Sequence, residues 1–378
     1  MTRIIHSFLL IIFAVFLLGG ISRAGEPAKT NEEGKPSGIF KPGKFVIEHV
    51  SDAFEWHIAT FGETEISIPL PIILYSSNKG WNVFMSSRFN HGKDAYNGFR
   101  IGSVAKEESK DQENSQEKLK DKYEGKIVEL NTNGEVVGLP VNLSITKTVT
   151  GIFVSVIVLL LIFLNIAKTA KRNVNKAPEG MQNLFEPVIL FVRDDIAKPA
   201  IGERRFEKFM PYLLTVFFFI LINNILGLVP IFPFGANVTG NIGITMVLAL
   251  FTFFVTTFNT NKHYWKEIYN PDVPWWLKFP IPLMPIVELT GVITKPFVLM
   301  IRLFANMLAG HLIVTVFVSL IFIFAVKLGV PGGLGVSVIS VLFSVFMLLL
   351  DVLVSFIQAY VFTLLSALYF GMASPDHH

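Results

Sequence analysis

Five stretches of the 378-residue chain are apolar over lengths close to or beyond a bilayer's hydrocarbon core. They cover residues 149–167, 210–231, 241–259, 285–326 and 334–372. A spanning helix needs about 20 apolar residues, and backbone polar groups in lipid must be satisfied within the segment. The pattern therefore predicts five helical crossings. The last two stretches are about 40 residues each, roughly 60 Å of helix against a core of about 30 Å. They must tilt strongly, break, or run partly along the interface. "KLGVPGGLG", from Lys327 to Gly335, separates them and supplies turn residues. The prediction is an all-α polytopic membrane protein whose last two spans form a long, strongly tilted helical hairpin.

The chain ahead of the spans has another pattern. Arg3 precedes an apolar run from Phe8 to Leu18, and small residues come next around Ser22 and Ala24. This reads as a secretory signal over residues 1–24; the competing reading is an uncleaved anchor, and either one exports the residues downstream of it. Residues 25–147 are polar and hold no spanning run, so they form an exported region. Within it "WHIATFGETEISIPLPIILYSS" alternates as strands do. "VELNTNGEVVGL" reads as a hairpin around Asn133 and Gly134. Residues 106–126 are a charged, low-complexity tract, expected as solvated helix or disorder.

Basic residues mark cytoplasmic flanks. Lys168, Lys171, Arg172 and Lys176 lie directly after the first span. The loop after the second span has none, and the loop after the third has Lys262, Lys266 and Lys278. The N-terminal region thus lies outside and the C-terminus inside. Residues 178–208 mix apolar and charged residues at helical spacing and are expected along the cytoplasmic interface.

Composition narrows the class. The chain is 52% hydrophobic with 36 phenylalanines, and its mean hydropathy of +0.54 is too high for a soluble globular protein of this size. A net charge of +3 gives no reason to expect a nucleic-acid partner. Cysteine is absent, which excludes disulfides, thiolate metal sites and cysteine nucleophiles. His49, His57 and His91 lack ligand spacing. No metal and no cofactor is expected.

Polar groups at membrane depth are costly, about 2.5–3.5 kcal/mol for a central arginine on insertion scales. The penultimate stretch nevertheless carries Arg302, Asn306 and His311, and the last carries Asp351 and Gln358. In an antiparallel hairpin, level residues share a midpoint. Position 330 lies midway between Arg302 and Gln358, and 331 midway between His311 and Asp351, both inside the turn signal. Helical phase then divides the set. At about 100° per residue, Asn306 lies some 40° from Arg302, and His311 about 180° away. This suggests a fixed cation near mid-membrane and a separate His311–Asp351 site toward the exterior. Histidine and aspartate exchange protons with water, whereas arginine is a fixed charge that favours ionisation of an approaching carboxylate. Relay groups leading to an immovable charge suit a proton path. Structural readings compete: Arg302 as a clamp, His311 as a packing residue, Asn306 and Gln358 as interhelical glue. The shared turn favours function, because independent accidents need not share one register.

"KPFVLMIRLFANMLAGHLIV" closely resembles the signature of the subunit a family of F-type ATP synthases. "FMPYLLTVFFFILINNILGLVP", "NIGITMVLAL" and "IQAYVFTLLSALYFGMAS" resemble further family segments, so the likeness extends over about 150–374. The resemblance implies a stator proton channel with two aqueous half-channels, and Arg302 as the essential arginine facing a rotating c-ring. It implies that Asn306 and Gln358 line the ring-facing region, and that His311 and Asp351 are the acid/histidine pair of the outer half-channel. Asn224, Asn241 and Thr245 match polar channel-lining positions, and Gly227 stands where some members have an aspartate. The implied partners are the c-ring, peripheral-stalk subunit b, other ATP synthase subunits and membrane lipid. ATP chemistry would lie outside this chain, and the family pattern is silent on residues 25–147.

Rival classes fit less well. A secondary ion transporter or channel using a buried Arg/His/Asp relay would usually show an internal repeat. A haem-bearing redox subunit needs two buried histidines. An intramembrane protease needs a catalytic pair, and Asp351 is alone among deep acids.

Overall fold

The computed structural model of the chain describes residues 52–61, 64–90, 92, 94–102, 125–131, 136–172, 177–229, 234–260, 268–269 and 283–373. The expected signal segment, most of the charged tract, His49, His91 and the Asn133–Gly134 turn lie outside these residues. The chain divides into two compact units, residues 1–147 with 316–341 and residues 148–315 with 342–378.

The first unit holds short antiparallel strands. β1 (Glu55–Phe61) pairs with β2 (Thr64–Pro69). β3 (Pro71–Ser76) lies between β4 (Gly80–Met85) and β8 (Val141–Asn142). β6 (Ile127–Leu130) lies between β5 (Phe99–Ile101) and β7 (Val136–Gly138), and β6 and β7 are the arms of the expected hairpin. Alternation sends Ile72 and Leu74 of β3 inward, where they form a small core with Phe89, Phe99 and Ile127. Lys79, in the β3–β4 turn, ties the two three-stranded sheets together by donating to the backbone carbonyls of Asn97, Gly98 and Leu130.

The other face of the β4–β3–β8 sheet is also apolar. The register sets Trp81, Tyr75 and Val141 side by side, and then Val83, Ile73 and Leu143. A third row joins Met85, Pro71 and Ile145. β3 is apolar on both faces, so its sequence does not say which face is covered.

The remaining regular elements among the described residues are helices. α1 (Lys147–Arg172), α4 (Phe206–Leu228), α6 (Leu289–Gly329) and α7 (Pro331–Met372) are long and apolar enough to cross a membrane, and α5 (Ile242–Phe258) is a shorter apolar helix. Between α1 and α4 come α2 (Met181–Phe191) and α3 (Lys198–Ile201). The chain is thus a polytopic helical membrane protein with a β-containing N-terminal region.

Three details differ from expectation. α4 ends at Leu228 rather than near Ile231, because Val229 is extended (φ −87°, ψ 109°) ahead of Pro230, and a residue before proline avoids helical geometry. The hairpin turn is much tighter than the 327–335 stretch allows. One continuous helical run, Leu283–Ala373, is interrupted only at Gly329 (φ 72°, ψ −174°), and Pro331 opens the next helix. Finally, residues 178–208, expected along the interface, contribute to the buried core. A π-helical turn, Val192–Ala197, links α2 to α3 and buries Val192, Ile196 and Ala197 completely. They join the core built by Leu213, Phe217 and Ile220 of α4, Leu299 and Leu303 of α6, and Ala359 and Phe370 of α7. The polar side of that turn carries Asp194, which accepts from Arg193 (2.8 Å) and pairs with Lys198 (2.6 Å). Those hydrogen bonds hold its carboxyl well below the usual range. All three groups are exposed, so the network contributes more to orientation than to stability.

Candidate functional site

α6 has two faces. Leu299, Met300, Leu303, Met307 and Gly310 are buried. Arg302, Ala305, Asn306 and Ala309 recur at helical spacing on the exposed side. The phase relation expected between Arg302 and Asn306 therefore holds in the structure. Arg302 is the charged group on that face, with exposed Ile301 and Val298 beside it and Ala305, Asn306 and Ala309 following. A guanidinium facing bare lipid is unfavourable, so this face suits a membrane partner that brings an acceptor.

Gly310 is the contact point of the hairpin. A Cβ built there would lie 2.6 Å from Asp351 Oδ1 and 3.0 Å from its carboxyl carbon. The missing side chain is what admits the α7 carboxylate against the α6 backbone, one residue from His311. Asp351 is 8% exposed, and its Oδ2 has no hydrogen-bond partner among the described residues. Ser355 donates to the Asp351 carbonyl at 2.7 Å, and Thr315 to the His311 carbonyl at 2.7 Å. The imidazole of His311 is half-buried and reaches toward α4, where a Cβ on Gly227 would lie 3.7 Å from Nε2. The acid thus lies beside the backbone that carries the histidine, and the histidine tip points to a second glycine.

Other positions separate. Gln358 is level with Arg302 in the hairpin but does not share its exposed face. It is 6% exposed, on the buried side of α7 with Asp351, Ser355 and Phe362. Asn224 is fully buried, accepts from Thr239 at 2.5 Å and lies one turn before Gly227. Thr245 is fully buried and donates to the Ile242 carbonyl at 3.1 Å. Asn241 caps α5, its side chain accepting from the Gly243 N–H at 2.9 Å, so part of its polarity is used by the helix start.

Two contacts and one cavity leave little trace in the sequence. Tyr212 and Thr252 share a 2.8 Å hydrogen bond between α4 and α5. Lys295 Nζ sits 5.5 Å from the Tyr369 ring centroid. Thr252, Thr256, Lys295 and Tyr369 line one small cavity. The spacing by four of Thr252, Thr256 and Thr260 was the available signal, but such threonines commonly bond back to their own helix, as Thr256 and Thr260 do here.

The Gly310 contact makes a direct prediction. Gly310→Val should separate α6 from α7 around Asp351, since the new atoms meet a packed carboxylate. Reduced accumulation of the protein in membranes and a Tm lower by several degrees are expected. Unchanged accumulation and melting would show that the helices do not meet at this residue.

Fold and site together define a multi-pass membrane protein that carries an arginine, a histidine and an aspartate on helices long and apolar enough to cross a bilayer. Comparison with known proteins carries this further. Residues 150–371 match the family described as ATP synthase A chain. That is more than half of the chain, and the chain belongs to this family. "ATP synthase subunit a 2" of Chlorobaculum tepidum is 44% identical over 252 residues, covering 65% of this chain and 67% of the relative. "ATP synthase subunit a" of Chloroherpeton thalassium is 42% identical over 246 residues, covering 62% and 69%. The protein of the same name from an Anaeromyxobacter species is 36% identical over 260 residues, covering 67% and 60%. Residues 45–143 match a separate domain family of unknown function.

Proposed function

We propose that this chain is the stator proton channel of a rotary F-type ATP synthase. In this reading Arg302 is the fixed charge that faces a ring of small hairpin subunits, each carrying one mid-membrane carboxylate. His311 and Asp351 pass protons on one side of it, and a second half-channel opens on the other. Asn306 lies on the ring-facing surface, while Gln358, Asn224 and Thr245 add buried polar groups behind it. Peripheral-stalk subunit b is the expected stator partner. The protein would reside in the inner membrane, with residues 1–24 as leader, 25–147 exported, and the C-terminus of the 148–374 membrane domain cytoplasmic.

The observation that carries this reading is the division of α6. Arg302 stands exposed among alanines, while the neighbouring ionisable pair faces inward. An arginine placed to be met by a moving carboxylate must be open on one side, and a relay must be shielded from lipid. Ala305 and Ala309 also let a facing helix approach closely, as small residues do in membrane interfaces. The absence of native cysteine permits a clean test. Ala305→Cys in the full complex should form a disulfide with a cysteine placed near the carboxylate of the ring subunit. A cysteine at the buried position Leu303 should not. Crosslinking at 303 but not at 305 would overturn the assignment of the ring-facing side.

A further inference from the structure

The exported-side sheet offers an apolar face that the rotary reading does not use. Six large side chains on the outer face of β4–β3–β8 are open: Trp81 (63% exposed), Val83 (68%), Met85 (45%), Tyr75 (41%), Val141 (57%) and Leu143 (57%). None of the nine positions in its three rows is charged. Soluble proteins rarely leave so continuous an apolar patch in water, and exposed sheets usually carry charges that deter association. This face is therefore built to be covered.

We propose that the outer face of the β4–β3–β8 sheet lies on the membrane itself, flat in the interfacial layer beside the point where α1 enters the bilayer. Chain continuity identifies the occupant as lipid. Beyond β8 the chain keeps bonding along β3 as far as Ile145, whose N–H donates to the Pro71 carbonyl, and α1 begins two residues later at Lys147. Two extended residues span about 7 Å, so the nearest row cannot lie far from the membrane surface. The start of α1 is fixed to the same unit, since the Lys147 N–H donates to the Ala53 carbonyl at 2.9 Å and its ammonium lies 5.9 Å from the Trp56 ring centroid. Beyond it α1 presents an open apolar surface, with Phe153 at 59% and Leu161 at 65% exposure. Apolar residues thus continue in the sequence from Val141 of the sheet into α1. The composition of the face fits the depth. Trp81 and Tyr75 pack with ring centroids 5.1 Å apart, and both residue types favour the membrane–water boundary. Aliphatic neighbours supply the apolar area that holds an element in the interface. The proposal requires only that α1 spans the bilayer, and it stands or falls apart from the roles of Arg302, His311 and Asp351.

Spin labels test it. Val83→Cys, Val141→Cys and a control, Lys126→Cys, would each carry a nitroxide in the full-length chain. The synthase complex would be reconstituted in vesicles of phosphatidylethanolamine and phosphatidylglycerol. All three positions are exposed, so labelling leaves the core intact. At 83 and 141, collisions with oxygen, which concentrates in lipid, should exceed collisions with a water-soluble nickel chelate by several-fold. The ratio should reverse at 126. Chelate-dominated relaxation at 83 and 141 would place the face in water and overturn the proposal. Exclusion of both reagents would overturn it too, because a protein surface would then be the cover: another subunit, a second copy, or residues 1–51 of this chain.

Discussion

Arg302→Ala is expected to abolish ATP-driven proton pumping in inverted vesicles, by about 100-fold or more, while the protein still inserts and assembles. The expectation rests on where the side chain stands. Arg302 is exposed on α6 and takes no part in the hydrophobic core, which uses the buried Leu299 and Leu303. Its removal costs no core packing. What disappears is the one fixed positive charge on that apolar face, and electrostatic stabilisation of this kind commonly carries factors of about 10²–10³. Arg302→Lys should also fail or be severely impaired. An ammonium can lose its proton when desolvated and lacks the planar fork that meets a carboxylate with two parallel bonds. Pumping by the alanine variant at the wild-type rate, with normal amounts of protein in the membrane, would refute the role.

A second large effect is expected at the His311–Asp351 site. Asp351→Asn should slow proton flux at least tenfold without disturbing Arg302, because an amide cannot pass a proton as a carboxyl group does. The structure points to a rescue. Gly227 faces the imidazole, and its built Cβ lies 3.7 Å from His311 Nε2. A carboxyl group introduced by Gly227→Asp would meet the same histidine from α4 instead of α7. The double variant Asp351→Asn with Gly227→Asp should therefore recover several-fold more pumping than Asp351→Asn alone. The new side chain must displace the Ala236 carbonyl slightly, since the built Cβ lies 3.2 Å from that oxygen, and full recovery is not expected. Equal rates for the single and double variants, both normally assembled, would sink the relay. So would wild-type flux in Asp351→Asn.

Much of this architecture is legible in the sequence. Long apolar runs identify the helices because lipid leaves a chain few alternatives. The midpoint of the polar pairs, 330–331, falls beside the observed break at Gly329, because helices of constant rise keep level residues at equal distances from their turn. Phase alone puts Arg302 and Asn306 on one face. The features that escape are decided by tertiary packing. That Asp351 and Gln358, seven residues apart, share a face follows from helical phase, but that this face is the buried one does not. The role of Gly310 is to leave space, and an absent side chain gives no pattern to read. Burial of Val192 and Ile196 depends on one π-helical turn shifting the phase of a segment that reads as merely amphipathic. The two apolar faces of β3 look alike in sequence, and only the cross-strand register separates core from surface.

The unbroken legs of the hairpin have a mechanical corollary. α6 spans 41 residues with no non-helical residue before Gly329, or about 60 Å at 1.5 Å per residue. A rod of that length is about twice as long as the layer is thick, so it leans from the normal or runs on past the layer's edge. To a helix of the proposed ring travelling sideways, such a rod, where it leans, would be a ramp and not a post. The height at which the two touch changes continuously along the path, and Arg302 marks a single station on it. Lateral displacement is thereby converted into a sequence of depths, as a screw thread converts turning into advance.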